Sequence, residues 1–387
     1  MSFPERAEFS KYAPQSPNKR ALVFVTDAYG GHGGIAKFNR DLLSSLASHP
    51  QYQEIIALPR GISGPLSEPL PETLRFNASC ANSKIAYVTS LIGAVARNRA
   101  FDVVVCGHIH LLPLAWIASR LARSPLILIC HGIEAWQPTS RWIVNRLVKK
   151  IDYVISVSAI TQERFQTWAK ATPKAVFILP NSVDMARFKP QGKNSELVDR
   201  YNLRDKVVLM TFGRLERSKG IDEILEILPN IARDIPNIVY MIVGGGADLD
   251  RLQKKANALS VDDRVIFAGR IEETEKVDYY NLADVFVMPG RGEGFGIVYL
   301  EAMACGVPVV GSVLDGSKEA LLDGRLGVLV NPLDLSSVEQ GIRKALAHRK
   351  GVPAGLDYFS WPRFQERVLG ILHEVSGVTM LRNNRHD

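Results

Sequence analysis

Two successive series of short β-branched runs, each run followed by a helix-length segment, constrain this chain more than any other feature. The first series holds Ala21–Thr26, Ile55–Leu58, Val103–Cys106, Leu126–Cys130, Tyr153–Val157 and Val176–Leu179. A polar stretch, Lys189–Arg204, interrupts it. The pattern then restarts with Val207–Phe212, Val239–Val243, Val265–Phe267, Val285–Met288, Val309–Val310 and Gly327–Val330. Runs that are apolar throughout, rather than alternating, read as parallel strands covered on both faces. Parallel neighbours need crossover helices, so the pattern predicts an α/β protein of two Rossmann-like, doubly wound domains facing across a cleft. A length of 387 residues also exceeds what one core ordinarily fills. The expected divisions are residues 1–183, of which 1–18 are expected to be disordered, residues 184–358, and a closing segment 359–387. Asn181-Ser182-Val183-Asp184 reads as the hinge. Phe359–Val375 has an amphipathic helical pattern, and the last dozen residues are polar and expected to fray.

Composition narrows the compartment and the partners. The chain is 46% hydrophobic and 22% charged, an ordinary globular balance. Cys80, Cys106, Cys130 and Cys305 lack C-x-x-C or metal-type spacing and read as reduced, buried thiols. The first residues carry no apolar leader, and the most apolar window, Val103–Ala118, is broken by Gly107, His108, His110 and Pro113. A cytoplasmic protein is expected, peripheral to the inner face of the plasma membrane if it meets lipid. The net charge of +7 is unevenly spread. Residues 1–182 hold 20 Lys and Arg against 11 Asp and Glu, whereas the remainder holds 27 against 29. The first half should therefore meet something anionic: lipid headgroups, a phosphorylated acceptor or nucleic acid.

The residues that carry chemistry sit at predicted strand ends. Glu293-Gly294-Phe295-Gly296-Ile297 leads through a glycine turn into a short helix bearing Glu301, and Gly306 and Pro308 close it. A helix N-terminus offers unpaired N–H groups and a partial positive charge, which suit a phosphate. Two acceptors flanking such a seat could hold hydroxyls on either side of a diphosphate. Gly30-Gly31-His32-Gly33-Gly34 follows the first strand and forms a second anion cradle. It has neither dinucleotide spacing nor the Gly-Lys-Ser/Thr of a P-loop. Arg214 and Lys219 follow the first strand of the second series, one a planar fork and one a point charge. Gly244 to Gly246 end the next strand. Asp248 and Asp250 beyond them read as carboxylates in the first turn of a helix rather than metal ligands. His131, with Gly132 after it, ends another buried strand and is a site candidate. His108 and His110 are weaker ones. No histidine spacing suits a metal and no G-x-S-x-G elbow is present. A glycosidase pair at Glu293 and Glu301 fits less well, because the helix N-terminus between them favours phosphate over neutral sugar.

Together these segments resemble the retaining glycosyltransferases of family 4, which have the GT-B fold. The resemblance rests on Gly30–Gly34, His131-Gly132, Pro180–Asp184, Gly213-Arg214-Leu215 with Lys219-Gly220, Gly244–Gly246, Phe359-Ser360-Trp361 and, most specifically, the E-x7-E segment Glu293–Glu301. It implies that the first domain binds acceptor, that the second binds a nucleotide-sugar donor, and that the closing helix crosses back onto the first. Arg214 and Lys219 would neutralise the donor diphosphate, assisted by the backbone at Gly33, Gly34, Phe295, Gly296 and Ile297, and Gly244 would be a further donor-binding position. Glu301 would hold ribose hydroxyls and Glu293 the transferred sugar, with His131 against that sugar on the acceptor side. Arg270 and Ile271 would lie near the base. No cofactor or metal is implied beyond the donor, which the resemblance leaves as GDP-mannose or a UDP-hexose.

The acceptor expected is a glycan or a lipid-linked molecule of a bacterial envelope, with a soluble sugar phosphate as an alternative. Arg141–Lys150 and Ser83–Arg99 read as basic amphipathic segments that could lie on an anionic membrane. A nucleotide-sugar epimerase of the same architecture is a second reading. A nucleic-acid binder is disfavoured, because the basic half lacks an aromatic RNA-binding motif.

Overall fold

The computed structural model describes residues 19–66, 68–97 and 100–383, with side chains through Ser376. The disorder expected for 1–18, the cation Arg99 and the last four residues of the tail lie outside the described residues. Seven parallel strands form the first sheet: β1 (Lys19–Val25), β2 (Tyr52–Pro59), β3 (Leu74–Phe76), β4 (Val103–Cys106), β5 (Leu126–Cys130), β6 (Tyr153–Ser156) and β7 (Ala175–Ile178). Six more form the second: β8 (Val207–Phe212), β9 (Ile238–Val243), β10 (Val265–Gly269), β11 (Val285–Val287), β12 (Val309–Ser312) and β13 (Val328–Val330). Their spatial orders are β3-β2-β1-β4-β5-β6-β7 and β10-β9-β8-β11-β12-β13. β3 escapes the sequence pattern because it is three residues long, sits at the sheet edge and follows Pro69 and Pro71.

The crossover helices are α1 (Gly34–Ala47), α2 (Lys84–Arg97), α3 (Leu112–Ala122), α4 (Trp142–Leu147) and α5 (Ala159–Ala169) in the first domain. After α6 (Ser195–Arg200), which lies within the polar stretch, come α7 (Ile221–Asp234), α8 (Leu249–Ala258), α9 (Lys276–Leu282), α10 (Ile297–Ala304), α11 (Ser317–Ala320) and α12 (Leu335–Leu346). The segment Arg141–Lys150, read as one helix, is α4 followed by a 3-10 turn at Val148–Lys150. β4, β5 and β6 are buried along their whole length, which is why their sequences are apolar without alternation.

The strand order decides where a ligand can sit. β1 lies between β2 and β4, and β8 between β9 and β11, so the connections leave each sheet in opposite directions at those points. The crevices so opened lie beyond the carboxyl ends of β1, β4, β8 and β11, and the two domains turn these ends toward each other. The chain crosses between the domains twice, and the crossings touch. The Val183 N–H donates to the Phe359 carbonyl at 2.8 Å, and Val183 bridges Ser360 in parallel. The final helix, α13 (Trp361–Asn383), then lies along α1. Phe364 meets Phe38 edge-on at 5.5 Å, and Gln365 donates to Ser48 at 2.6 Å. α13 reaches Asn383, and a continuous apolar cluster packs along it as far as Val375. That cluster joins β1 and α1 through Leu179, Val183 and Phe188 to β8 and α10, and extends to Phe364, Val368, Leu372 and Val375.

Candidate functional site

The loop from β11 into α10 forms one wall. Gly296 caps α10 with φ of 91°, a conformation glycine takes readily, and a Cβ there would lie 2.5 Å from the Tyr299 ring. The first turn of α10 contains no acidic residue, so its exposed N–H groups keep their positive character. Across the cleft, α1 starts from the glycine loop after β1, also without an acidic residue in its first turn. A Cβ built at Gly34 would lie 3.6 Å from the Ile297 side chain, so the two helix N-termini face each other. Gly33, which precedes α1, has φ of 89°, and a Cβ there would meet no other atom within 4 Å.

Lys219 comes to this seat from the 3-10 turn Arg217–Lys219 after β8, and its ammonium lies 2.5 Å from Glu293. Burial disfavours the Lys219 charge. The Glu293 carboxylate more than offsets this, with smaller help from Glu216 and Asp315, and the pKa stands above the ordinary lysine value. Arg214 starts from the same loop but is 76% exposed and pairs with Glu216 at 3.1 Å. The structure therefore brings Lys219 and Glu293 together and leaves Arg214 at the rim.

Glu301 lies one helical turn inside α10, 2% exposed. It accepts the Tyr280 hydroxyl at 2.7 Å, and the Lys276 ammonium stands 3.3 Å away. Burial opposes the Lys276 charge too, and Glu301 and Glu273 outweigh it and raise its pKa. Phe212, the last residue of β8, stacks on Tyr280 at 5.4 Å, and the Lys276 ammonium lies 5.4 Å from the centre of the Phe212 ring. Lys276 and Tyr280 escape a sequence reading because they precede Glu301 by more than twenty residues and match no local spacing. Gly244, at φ of 136°, packs its backbone against Gly213, where a Cβ would lie 1.9 Å from the Gly213 carbonyl oxygen. The exposed Arg270 side chain lies over Gly245, and Ile271 is half-buried against the core cluster.

His131 completes the first-domain wall. Its ring meets Phe38 edge-on at 5.0 Å, and Nε2 lies 2.9 Å from the Gly107 carbonyl, an arrangement that assigns the proton to Nε2. Burial lowers its pKa, as it does for His108, which falls to about 4. His131-Gly132 abuts Glu293-Gly294 directly: a Cβ at Gly132 would lie 2.8 Å from the Gly294 Cα. The first domain also grips that loop through Ser158, whose hydroxyl donates to the Gly294 carbonyl at 2.6 Å. In return Glu319 of the second domain caps α5, accepting the N–H groups of Ala159 and Ile160 at 2.7 and 3.0 Å. Asp248 pairs with Arg251 in the first turn of α8, and among the described residues no group of three His, Cys, Asp or Glu is placed to hold a metal ion.

The chain also matches two family models, one in each half. The model of "Glycosyltransferase Family 4" matches residues 32–187, and that of "Glycosyl transferases group 1" matches residues 195–352. A GDP-mannose-dependent alpha-(1-6)-phosphatidylinositol monomannoside mannosyltransferase of Mycolicibacterium smegmatis is 35% identical over 66% of this chain and 72% of its own length. The chain belongs to the group 1, family 4 glycosyltransferases. A related mannosyltransferase of Corynebacterium glutamicum is 28% identical over 92% of this chain and 98% of its own. Among solved structures, HepE of Anabaena with UDP-glucose matches with a TM-score of 0.72 at 19% identity, covering 92% of this enzyme and all of that chain. The sucrose-phosphate synthase of Thermosynechococcus elongatus matches at 0.66 and 21% identity, covering 95% and 98%. The enzyme thus has the GT-B fold.

Proposed function

We propose that this glycosyltransferase moves a hexose, with retention of configuration and without a metal, from a nucleoside diphosphate sugar to a lipid-linked or glycan acceptor of a bacterial envelope. The observation that carries this reading is the facing pair of helix N-termini, α1 and α10, with Lys219 beside them. The donor diphosphate sits between these ends, takes Lys219 from Glu293, and is met by Arg214 as it enters from the rim. Negative charge grows on the diphosphate as the anomeric C–O bond breaks, so these fixed charges stabilise the transition state more than the ground state. Glu293, released from Lys219, faces the oxocarbenium-like sugar. Glu301, held by Lys276 and Tyr280, takes the ribose hydroxyls. GDP-mannose is the favoured donor, because relatives at 34 and 35% identity are GDP-mannose-dependent. A UDP-hexose is the alternative. A soluble sugar phosphate is the second acceptor reading, supported by the 28% identity to a D-inositol 3-phosphate glycosyltransferase of Geodermatophilus obscurus.

The acceptor is reached at an anionic membrane. α2, α3 and α4 with the turn after it adjoin on one face of the first sheet. Across residues 84–97, 112–123 and 141–150 they carry eight Lys and Arg, all exposed, and no Asp or Glu. Between these cations Ile85, Ile92, Leu121 and Trp142 are each more than 60% exposed. Among the described residues no helix is long and apolar enough to cross a membrane, so contact would be interfacial.

The test is a panel of nucleotide sugars incubated with and without bacterial lipid extract and with inositol phosphate, followed by mass spectrometry. Acceptor-dependent release of nucleotide that persists in EDTA is expected. Sugar conversion without acceptor would make the enzyme an epimerase instead, and an EDTA-sensitive reaction would remove the metal-free part of the reading.

A further inference from the structure

Asp315 touches neither the diphosphate seat nor the ribose pair, yet it is fully buried directly behind Glu293. Its Oδ2 accepts the Glu293 N–H at 3.0 Å, and its Oδ1 accepts the N–H and hydroxyl of Ser317 at 3.1 and 2.5 Å. The next residue completes the grip: the Gly316 N–H donates to the Glu293 carbonyl at 2.8 Å. Two consecutive residues thus hold both polar groups of the Glu293 backbone. Gly316 is packed so closely that a Cβ would lie 2.1 Å from the Gly294 carbonyl oxygen. The titratable groups facing Asp315 are Glu293 from the β11–α10 loop, Lys219 from the turn after β8 and Tyr299 from α10.

We propose that Asp315 is a positioning residue for Glu293, fixing its backbone and, from its buried place behind the loop that carries Glu293, linking donor binding to proton uptake. The inference rests on the reading that the donor diphosphate draws Lys219 away from Glu293. The Glu293 carboxylate, whose charge already disfavours ionisation of Asp315, is then left without its cation, and like charges in a buried setting resist joint ionisation. Asp315 takes the proton, because burial already pushes its carboxyl up to about 6. The proton comes from solvent and returns to it when the diphosphate leaves, so no bond between heavy atoms is made or broken.

The experiment uses the full chain, its Asp315→Asn and Asp315→Ala forms, and Glu293→Ala as a control. GDP and UDP binding is measured by calorimetry in phosphate and Tris buffers at pH 7, whose different ionisation heats report protons taken up. Turnover is followed from pH 5 to 8. Wild type is expected to take up a substantial fraction of a proton on binding. Asp315→Asn keeps an acceptor for the Glu293 N–H, so its donor KM at pH 7 should stay within about threefold, with proton uptake and the inflection near pH 6 in kcat/KM both lost. Asp315→Ala loses the acceptor as well and should lower kcat by about 100-fold. Wild-type proton uptake and pH profile in Asp315→Asn would overturn the proposal, as would wild-type kcat in Asp315→Ala. If Asp315→Ala does not fold, the Asn form alone decides. Should Glu293→Ala turn over normally, or neither nucleotide bind, the reading of the donor site fails and this inference with it. An inactive Glu293→Ala beside an unchanged Asp315→Asn sinks this inference alone.

Discussion

At the scale of single residues, the site is a set of charges that hold one another until a ligand arrives. Lys219 and Glu293 pair at 2.5 Å beside the proposed donor seat, both largely buried. Replacing either by alanine should lower kcat by about 1000-fold, the order expected when a group acting on developing charge is lost. A steady-state assay beside a thermal melt checks this, and near-normal turnover in both variants would defeat the assignment. Lys276 and Glu301 form a second pair, with Glu301 2% exposed. Lys276→Met strands a buried carboxylate and should cost roughly 3 kcal/mol in denaturant unfolding. The double variant Lys276→Met with Glu301→Gln should regain much of that stability while donor KM stays raised. A double variant as unstable as the single one would show that the pairing is not what Lys276 supplies. Asp315 predicts a pH trend of definite sign. Its folded pKa is raised to about 6 by burial, so its contribution to stability is full below the unfolded value and is lost as pH rises through about 6. Unfolding midpoints of wild type minus those of Asp315→Asn, measured from pH 4 to 8, should fall across that window and then level off.

At the scale of elements, what matters is how strand ends deliver helices and glycine turns to one place. α1 and α10 are both entered through a glycine and both leave their first turn free of acidic residues. That is a poor choice for helix stability, since a carboxylate there is favourable by about 0.3–1 kcal/mol. It suits the diphosphate of the proposed donor. Gly34→Asp should therefore move two quantities independently. Stability should hold or rise slightly, and donor KM should rise by about tenfold or more from repulsion at the seat. A donor KM unchanged in that variant would place the diphosphate elsewhere. These turns were legible in the sequence, since a glycine run straight after an apolar strand marks a backbone that must turn sharply or lie open to a ligand. The grip of Ser158 on Gly294 and of Glu319 on α5 was not, because each joins residues more than 130 positions apart. β3 was missed for a different reason, its three residues being too few for any periodicity to register.

At the scale of the whole molecule, two domains share one apolar cluster and a pair of touching crossovers, and the first domain carries a basic outer layer on one face of its sheet. The basic excess of residues 1–182 is concentrated there, in α2, α3 and the α4 segment. Vesicles of phosphatidylglycerol and phosphatidylcholine should bind the protein, and pure phosphatidylcholine should not. Lys149→Glu with Lys150→Glu should weaken binding by about tenfold or more, each near-surface cation being worth about 1 kcal/mol. Binding that survives both the reversal and high salt would rule out an electrostatic surface. The amino-acid sequence by itself determined the two βα series, the glycine turns at strand ends and the positions of Glu293, Glu301 and Lys219, because burial on both faces and special backbone angles leave a local imprint on residue choice. Only the tertiary structure decided which charges meet. Lys276 on Glu301, Asp315 behind Glu293 and the facing ends of α1 and α10 are set by sheet order and domain packing, and contacts between distant segments impose no spacing that a linear reading could detect.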